Sequence, residues 1–327
     1  MTRVLLLSAA PAGHERAYLD LEQLRRAATL DRFGVHRVVE RPEDAELILF
    51  VETSGYAGYY FELVRRHSLY RSRRADCYLF CSTDKLIPML PGVYASLEQS
   101  WYWGSWTRSS HYLGVLERGH MRYSSDQCEC LYLFSFVGST ASHPVRRKLM
   151  SVSHPRALLV DTQAAPGDPS PRSGEDYERE YAQNIKRSEF VLCPRGGGAS
   201  SLRLFETMML GRVPVIISDQ WVAPSGPDWD SFSVRVNEAE LDTIPHVLEE
   251  RASEAARMGE TARAAWLEWF SESASFHRVV ESCLELAQSA SSRAGMRGYA
   301  PRLQLLRPYH SARWIAKRLE NGGMLSR

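Results

Sequence analysis

The chain has 327 residues, 44% of them hydrophobic, with 40 Lys and Arg against 39 Asp and Glu for a formal charge of +1. That is more apolar material than one ordinary core holds and suits two compact domains. The near-neutral balance excludes a general attraction for nucleic acid or other polyanions, and the basic clusters RRHSLYRSRR and RRKL read as solvated faces.

The opening MTRVLLLSAAPAG is too short in its apolar part for a signal peptide, and the amphipathic ERAYLDLEQLRRAATL follows at once. It reads as a first buried strand. No run approaches the about 18 apolar residues of a membrane helix, so a cytoplasmic chain without a transmembrane segment is expected. Six cysteines are present, and neither Cys77/Cys81 nor Cys128/Cys130 has a second pair or histidines at zinc spacing. Reduced thiols and no metal ligand set are the expectation.

In chain order, RVLLLSA predicts a strand, residues 14–29 a helix, VHRVVE a strand, AELILFVE a buried strand, YYFELVRRHSL a helix and CYLFCS a strand. From residue 83 to about 125 the pattern dissolves into turns and aromatics. CLYLFSFVG restarts the alternation, followed by a helix around HPVRRKLMSV, the strand RALLVD, a polar loop over 164–174 and the helix EDYEREYAQNIKRS. EFVLC, a helix over 200–210, VPVIIS, FSVRV and a helical stretch through 290 complete the pattern. Strand and helix alternation implies parallel sheets covered on both faces. Two α/β halves are therefore predicted, an N-terminal domain over 1–126 and a C-terminal one over 127–290. A helical tail over 291–327 could cross back to the first.

The densest motif is EFVLCPRGGGASSLRLFETMMLGRVPVIISD, residues 189–219. FVLC should deliver Gly196, Gly197 and Gly198 to the carboxyl end of a parallel sheet, where ligands bind in open α/β folds. Glycines there permit positive φ and let N–H groups approach a ligand. Ser200 or Ser201 is the expected N-cap, Gly211 the stop, and the helix start a natural anion site. Arg203 and Glu206 stand three apart and share a face, with Leu202, Leu204, Phe205 and Met209 left to bury the other sides. Arg203 on phosphates and Glu206 on a ribose diol describe a nucleotide diphosphate; a simple Arg203–Glu206 pair beside a tight turn is the structural alternative. The P-loop lysine is missing and the spacing is not that of a dinucleotide fingerprint.

Taken together, SEFVLCPRGGGASSLRLFETMMLGRVPVIISD, the following APSGPDWDSFSVRVNE and the preceding FSFVGSTASHPVRRKL resemble the exostosin family of inverting glycosyltransferases over roughly residues 131–250. PEDAELILFVE and ADCYLFCSTDK resemble its acceptor-domain strands more weakly. Glu52 stands where the family has proline, and Arg212-Val213 replaces the usual Cys-Ile. The resemblance implies a GT-B fold, two Rossmann-like domains with an interdomain cleft, and inverting transfer from a nucleotide sugar, usually UDP-linked, to a glycan or other hydroxyl acceptor. It implies Arg203 on the diphosphate, Glu206 on the ribose, Arg146 as a second phosphate-side cation, Arg195 at the P-R-G position and Ser201 as the family serine. No cofactor or metal requirement is implied. A sugar-nucleotide epimerase or hydrolase, and a catalytically inactive nucleotide-sugar or glycan-binding protein, share the same features.

Inverting transfer needs a base on the opposite domain. Asp84 after CYLFCS, where the resemblance puts an acid, and Glu52 at the end of AELILFVE are the candidates, with His111 and His143 as further possibilities. DWD at 228–230 invites a metal reading, but its loop setting beside arginines favours none. WYWGSW at 101–106 and GYAGYYF at 55–61 could stack on sugar rings or fill a core. Trp266 and Trp269, at helical spacing, favour packing.

Overall fold

The computed structural model describes residues 1–11, 15–53, 60–84, 87–125, 129–163, 174–291, 311–312 and 315. The chain separates into two compact units.

The first unit holds Met1–Gly114, Val222–Pro224 and, from the C-terminal part, the helix Glu272–Ser291. Its sheet contains β1 (Thr2–Leu7), β2 (His36–Val38), β3 (Leu47–Glu52), β4 (Cys77–Cys81), β5 (Gly92–Tyr94) and β6 (Thr107–Ser109). The order is β2-β1-β3-β4-β5-β6, parallel throughout. Successive strand residues point to opposite faces. Leu47, Leu49 and Val51 of β3 therefore pack with Leu21 and Leu24 of α1 (Leu19–Thr29), while Ile48 and Phe50 pack with Phe61 and Val64 of α2 (Tyr60–Arg66). The stretch read as one helix breaks at His67, whose Nδ1 accepts from Leu69 N to start α3 (Ser68–Ser72). β5 and β6 lie where the sequence pattern dissolves, because three-residue strands are too short to show a period.

The second unit holds Val115–Trp221 and Ser225–Ser271. Its strands are β7 (Tyr132–Gly138), β8 (Ala157–Asp161), β9 (Ser188–Pro194), β10 (Val213–Ile217) and β11 (Val234–Arg235), in the parallel order β11-β10-β9-β7-β8. Its helices are α4 (Pro144–Leu149), α5 (Glu175–Lys186), α6 (Leu202–Met209), α7 (Ile244–Arg251) and α8 (Ala255–Trp269). Phe134, Phe136, Phe190, Leu192 and Val215 form a core with Val145 and Leu149 of α4, Ile244 and Leu248 of α7, and Met258 of α8.

The sequence pattern sets the boundary near 127 and runs the second domain to 290, whereas the contacts divide the chain at Gly114/Val115 and give α9 (Glu272–Ser291) to the first unit. The reason is physical: Phe276, Val279, Val280, Cys283 and Leu286 form a stripe along α9 buried in the core of β1, β3 and α1. The expected tail helix over 291–327 lies almost wholly outside the described residues. No helix among those described is long and apolar enough to cross a membrane.

α6 stops as its sequence dictates. Gly211 takes φ +70°, its N–H bonds to Met208 O at 3.0 Å, and Arg212 N bonds to Thr207 O at 3.0 Å. That is the paired bonding of a Schellman cap, which satisfies carbonyls the helix end would leave open. A Cβ at Gly211 would also meet the Tyr123 ring at 2.8 Å. Gly211→Ala is expected to destabilise the fold by about 1 kcal/mol or more, read as a lower denaturation midpoint in urea; an unchanged midpoint would show that the cap adds nothing.

Candidate nucleotide-binding site

In open parallel sheets the ligand crevice forms where neighbouring strands send their connections to opposite sides, at the carboxyl edge. In the second unit that point lies between β7 and β9, which pair directly although β8 intervenes in sequence. The loop 195–201 leaves β9 there, and residues 139–143 leave β7 there.

Arg203, in the first turn of α6, is only 8% exposed. Its guanidinium carbon lies 4.6 Å from the Phe136 ring centroid and 5.9 Å from that of Tyr181, and Nη2 donates to Val137 O. Gly138 makes this possible, since a Cβ there would collide with Nη2. Nε and Nη1 of Arg203 are buried and have no hydrogen-bond partner. Burial opposes the charge, but Tyr181, Cys193 and Glu206 around it hold the pKa above the usual arginine value. A buried donor left unpaired costs about 1–3 kcal/mol, more when charged. Two such groups on one cation at the switch point are the chemistry of an anion site.

Glu206 is half-buried one turn further on, and its Oε2 accepts the Tyr181 hydroxyl at 2.6 Å. Enclosure pushes its carboxyl above the ordinary range, against the Tyr181 bond and the Arg203 and Arg118 charges. No ion pair joins Arg203 to Glu206 among the described residues; both meet Tyr181 of α5 instead. The closed Arg203–Glu206 pair is thus not formed. Tyr181, Phe136 and Gly138 were not singled out from the sequence; only FSFVG, which contains two of them, carried a signal.

The loop itself is pinned from both sides. Arg195 N donates to Ile217 O at 3.0 Å, and Ser218 Oγ donates to Ala199 O at 2.7 Å. Arg146 donates from Nε to Arg195 O, from Nη1 to Ser139 O and from Nη2 to Pro194 O, at 2.9, 3.2 and 3.2 Å. It ties the loops after β7 and β9 together, so its first role is to position. Gly196 lets it approach, a Cβ there falling 3.1 Å from Nη2. Arg195 is half-buried, 4.0 Å from Glu238. Thr140, also leaving β7, bonds through N and Oγ1 to Asp161 at the end of β8, at 3.1 and 2.6 Å.

Several expectations are corrected by the geometry. None of Gly196, Gly197 and Gly198 adopts positive φ; Gly196 serves close approach rather than an unusual turn. Gly198 is buried and Gly197 exposed. Ser201 holds the N-cap position of α6, but its side chain makes no capping bond, and Ser200, 4% exposed, is not the cap. Leu202 is 48% exposed at the site rather than buried, because the first turn of α6 projects past the sheet edge.

In the first unit the corresponding switch point lies between β1 and β3. Glu52 ends β3 there, 1% exposed, accepting Ala9 N at 2.7 Å on Oε1 and the Ser8 hydroxyl at 3.0 Å on Oε2. Burial lifts its pKa from 4.5 to about 7, against both bonds. The folded state therefore holds this proton more tightly than the unfolded chain, and the stability it contributes is lost as pH rises from about 4.5 through 7. Asp20 is a second buried carboxyl on this edge, raised by burial and bonded to Ser82 and Thr53. Asp84 is exposed after β4, accepting the Tyr112 hydroxyl at 2.7 Å.

The histidine alternatives fall away. His111 is 2% exposed, bonded to Ser275 Oγ at 2.9 Å, and burial drives its pKa down to about 3. His143 caps α4 in the second unit, its Nδ1 accepting from Val145 N, so it is not on the opposite domain. Asp228 and Asp230 are exposed on either side of Trp229, which packs among Trp221, Phe232 and Phe270. In WYWGSW, Trp101 and Trp106 are buried and Tyr102 is exposed; most of GYAGYYF lies outside the described residues. Trp266 is buried as its spacing suggests, and Trp269 packs on Gly226.

With this geometry in place, the comparison with known families is direct: residues 109–251 match the Exostosin GT47 domain. The match makes up less than half of the chain. An exostosin-1 homolog of Caenorhabditis elegans is 38% identical over 91 residues, 27% of this chain and 24% of that protein. Drosophila melanogaster exostosin-1 is 26% identical over 170 residues, 47% and 22% of the two chains. A probable beta-1,4-xylosyltransferase of Arabidopsis thaliana, IRX10, is 39% identical over 74 residues, 21% and 18%. The matched stretches span about a quarter or less of these relatives. Among solved structures, Anabaena HepE in complex with UDP covers 89% of this chain and all of its own at 12% identity and a TM-score of 0.38. S. aureus MnaA with UDP covers 86% and 95% at 8% identity and a TM-score of 0.40. The exostosin GT47 domain spans Arg146, the glycine loop, Arg203 and Glu206, but not Glu52 or Asp84.

Gly138→Ala tests the seat of Arg203 without altering the cation. It is expected to weaken UDP binding by about tenfold or more, since the added Cβ drives Nη2 off Val137 O, as read by calorimetric titration with the fold checked by circular dichroism. Wild-type affinity in a folded Gly138→Ala protein would show that Arg203 does not need that position.

Proposed function

We propose that this chain is an inverting glycosyltransferase that moves a sugar from a UDP-linked donor to a glycan or other hydroxyl acceptor. The observation that carries the reading is the buried, half-satisfied guanidinium of Arg203 at the β7/β9 switch point, inside a domain of the exostosin family. In this reading the diphosphate meets Arg203 Nε and Nη1, the N–H groups of the glycine loop and the start of α6. Arg195 and Arg146 add charge nearby, and Ser200 and Ser201 line the loop's end. Glu206 accepts from the ribose diol, sharing the carboxylate with Tyr181.

Transfer breaks the bond between the anomeric carbon and the diphosphate oxygen while the acceptor oxygen forms a new bond on the opposite face. Charge grows on the departing diphosphate, and donors fixed in advance lower that barrier. Because Arg203 is already stacked and desolvated, it needs no reorganisation. A charge-assisted bond of about 2–3 kcal/mol in that state corresponds to roughly 30- to 150-fold in rate. The cations, N–H groups and helix end together neutralise the phosphates, so no divalent ion is required for transfer.

The acceptor proton goes to Glu52. Its carboxylate is sealed, so the acceptor hydroxyl passes its proton to Ser8 Oγ as Ser8 passes its own to Glu52 Oε2. A base with a pKa of about 7 is matched to neutral pH. Asp84, exposed on the same sheet edge, is the direct alternative, and the variants separate the two.

Two outcomes test this reading. Arg203→Ala is expected to lower kcat by about two orders of magnitude, with Arg203→Lys recovering little because a point charge loses the forked geometry; near-wild-type turnover in Arg203→Ala would remove the role. The rate with saturating UDP-sugar should rise with pH to a plateau above an apparent pKa near 7, and Glu52→Gln should abolish both the rise and the activity. Loss in Asp84→Asn with an unchanged profile in Glu52→Gln would transfer the base to Asp84.

A further inference from the structure

A second cluster lies at the opposite edge of the first unit's sheet. His36 opens β2, while His277 and Glu281 stand four apart on α9 and so share one face. His36 Nε2 lies 2.8 Å from Glu281 Oε1, and one ligand atom from each of the three residues falls within 4.8 Å of the others. His36 and His277 are 7% and 9% exposed, whereas the Glu281 side chain is 43% exposed. The group is therefore built on two sealed imidazoles and opens to solvent through the carboxylate.

The rings are held in place before any ligand arrives. Phe33 stacks on His277 with centroids 4.0 Å apart, His277 lies 5.1 Å from His36 at 25°, and the Phe276 ring meets His36 edge-on at 6.4 Å. Nδ1 of both histidines is buried and has no hydrogen-bond partner. A single imidazole–carboxylate bond thus leaves buried nitrogens on both rings uncompensated, at about 1–3 kcal/mol each. Burial and the neighbouring His36 hold His277 below its usual pKa, with Arg278 adding and Glu281 and Asp31 opposing. By contrast His246 and Glu250 repeat the same helical spacing on exposed α7, 3.4 Å apart, and no third donor joins them among the described residues.

We propose that His36, His277 and Glu281 bind a divalent transition-metal ion, with zinc the best fit to the donors, and so clamp α9 onto the edge strand β2. Two nitrogens and one carboxylate oxygen suit zinc, whereas calcium and magnesium take oxygen ligands. The ligand atoms lie within 4.8 Å of one another, against the ~3.4 Å expected around a tetrahedral ion, and solvent takes the fourth position on the open side. β1 pairs with His36 at Thr2 and with Phe50, two residues before Glu52, at Leu7, so roughly 23 Å of strand separate His36 from that carboxylate. The ion is structural: it secures a helix that returns to its sheet from the far end of the chain.

The test uses the full chain without a polyhistidine tag, stripped of metal, and titrated with Zn²⁺ against a chromophoric chelator and with Co²⁺ by visible absorption. The expected result is one ion per chain, ligand-field bands of a four-coordinate Co²⁺, and a thermal midpoint that rises with Zn²⁺. Glu281→Gln, half-exposed and so safe for folding, should keep the metal-free midpoint and bind at least about 100-fold more weakly. His277→Gln should lose binding altogether, while His246→Gln should bind as the wild type does. No stoichiometric binding to the wild type, or equal binding by Glu281→Gln and His277→Gln, would overturn the proposal and leave the cluster as a hydrogen-bonded imidazole–carboxylate pair.

Discussion

The candidate site of the second unit rests on one contact, a guanidinium laid against the carboxyl end of β7. Arg203 reaches Val137 O because Gly138 has no side chain, and it stays charged in a buried place because Phe136, Tyr181 and Glu206 surround it. Everything nearby serves that placement. α6 begins where the glycine loop ends, the loop is fastened to β10 through Ser218 and Ile217, and Arg146 laces it to the loop after β7. Two guanidinium nitrogens remain without protein partners, which is costly unless an anion completes them.

The two units use one topological device with opposite electrostatic sense. Each has a parallel sheet whose strand order reverses direction of growth beside its first strand, and each places its ionisable groups at the carboxyl edge of that reversal. In the second unit the edge gathers cations. In the first it buries two carboxyls, Glu52 and Asp20, both raised by loss of solvent.

What the sequence disclosed follows from range. Arg203 and Glu206 were legible because residues three apart on one helix share a face whatever the tertiary fold, and Gly211 because a helix stop is local. Tyr181 and Gly138 were not, since their meeting with α6 depends on packing between elements that lie 25 and about 66 residues away in sequence. Arg146 was read by its charge, and the structure shows that most of its donors go to carbonyls. Three-residue β5 and β6 are too short to carry a period. α9 continues the helical periodicity of α8, so the pattern could not show that its stripe from Phe276 to Leu286 belongs to the other core. Glu52 was legible only as a position at a strand end, because its burial depends on Ser8 and Ala9 folding over it.

The most direct test is a crystal structure of the protein grown with saturating UDP. The account predicts a pyrophosphate oxygen within about 3 Å of Arg203 Nε or Nη1 and of a glycine-loop N–H, with a ribose hydroxyl on Glu206. Nucleotide bound at another place, or density absent with both Arg203 nitrogens still buried and unpaired, would contradict it.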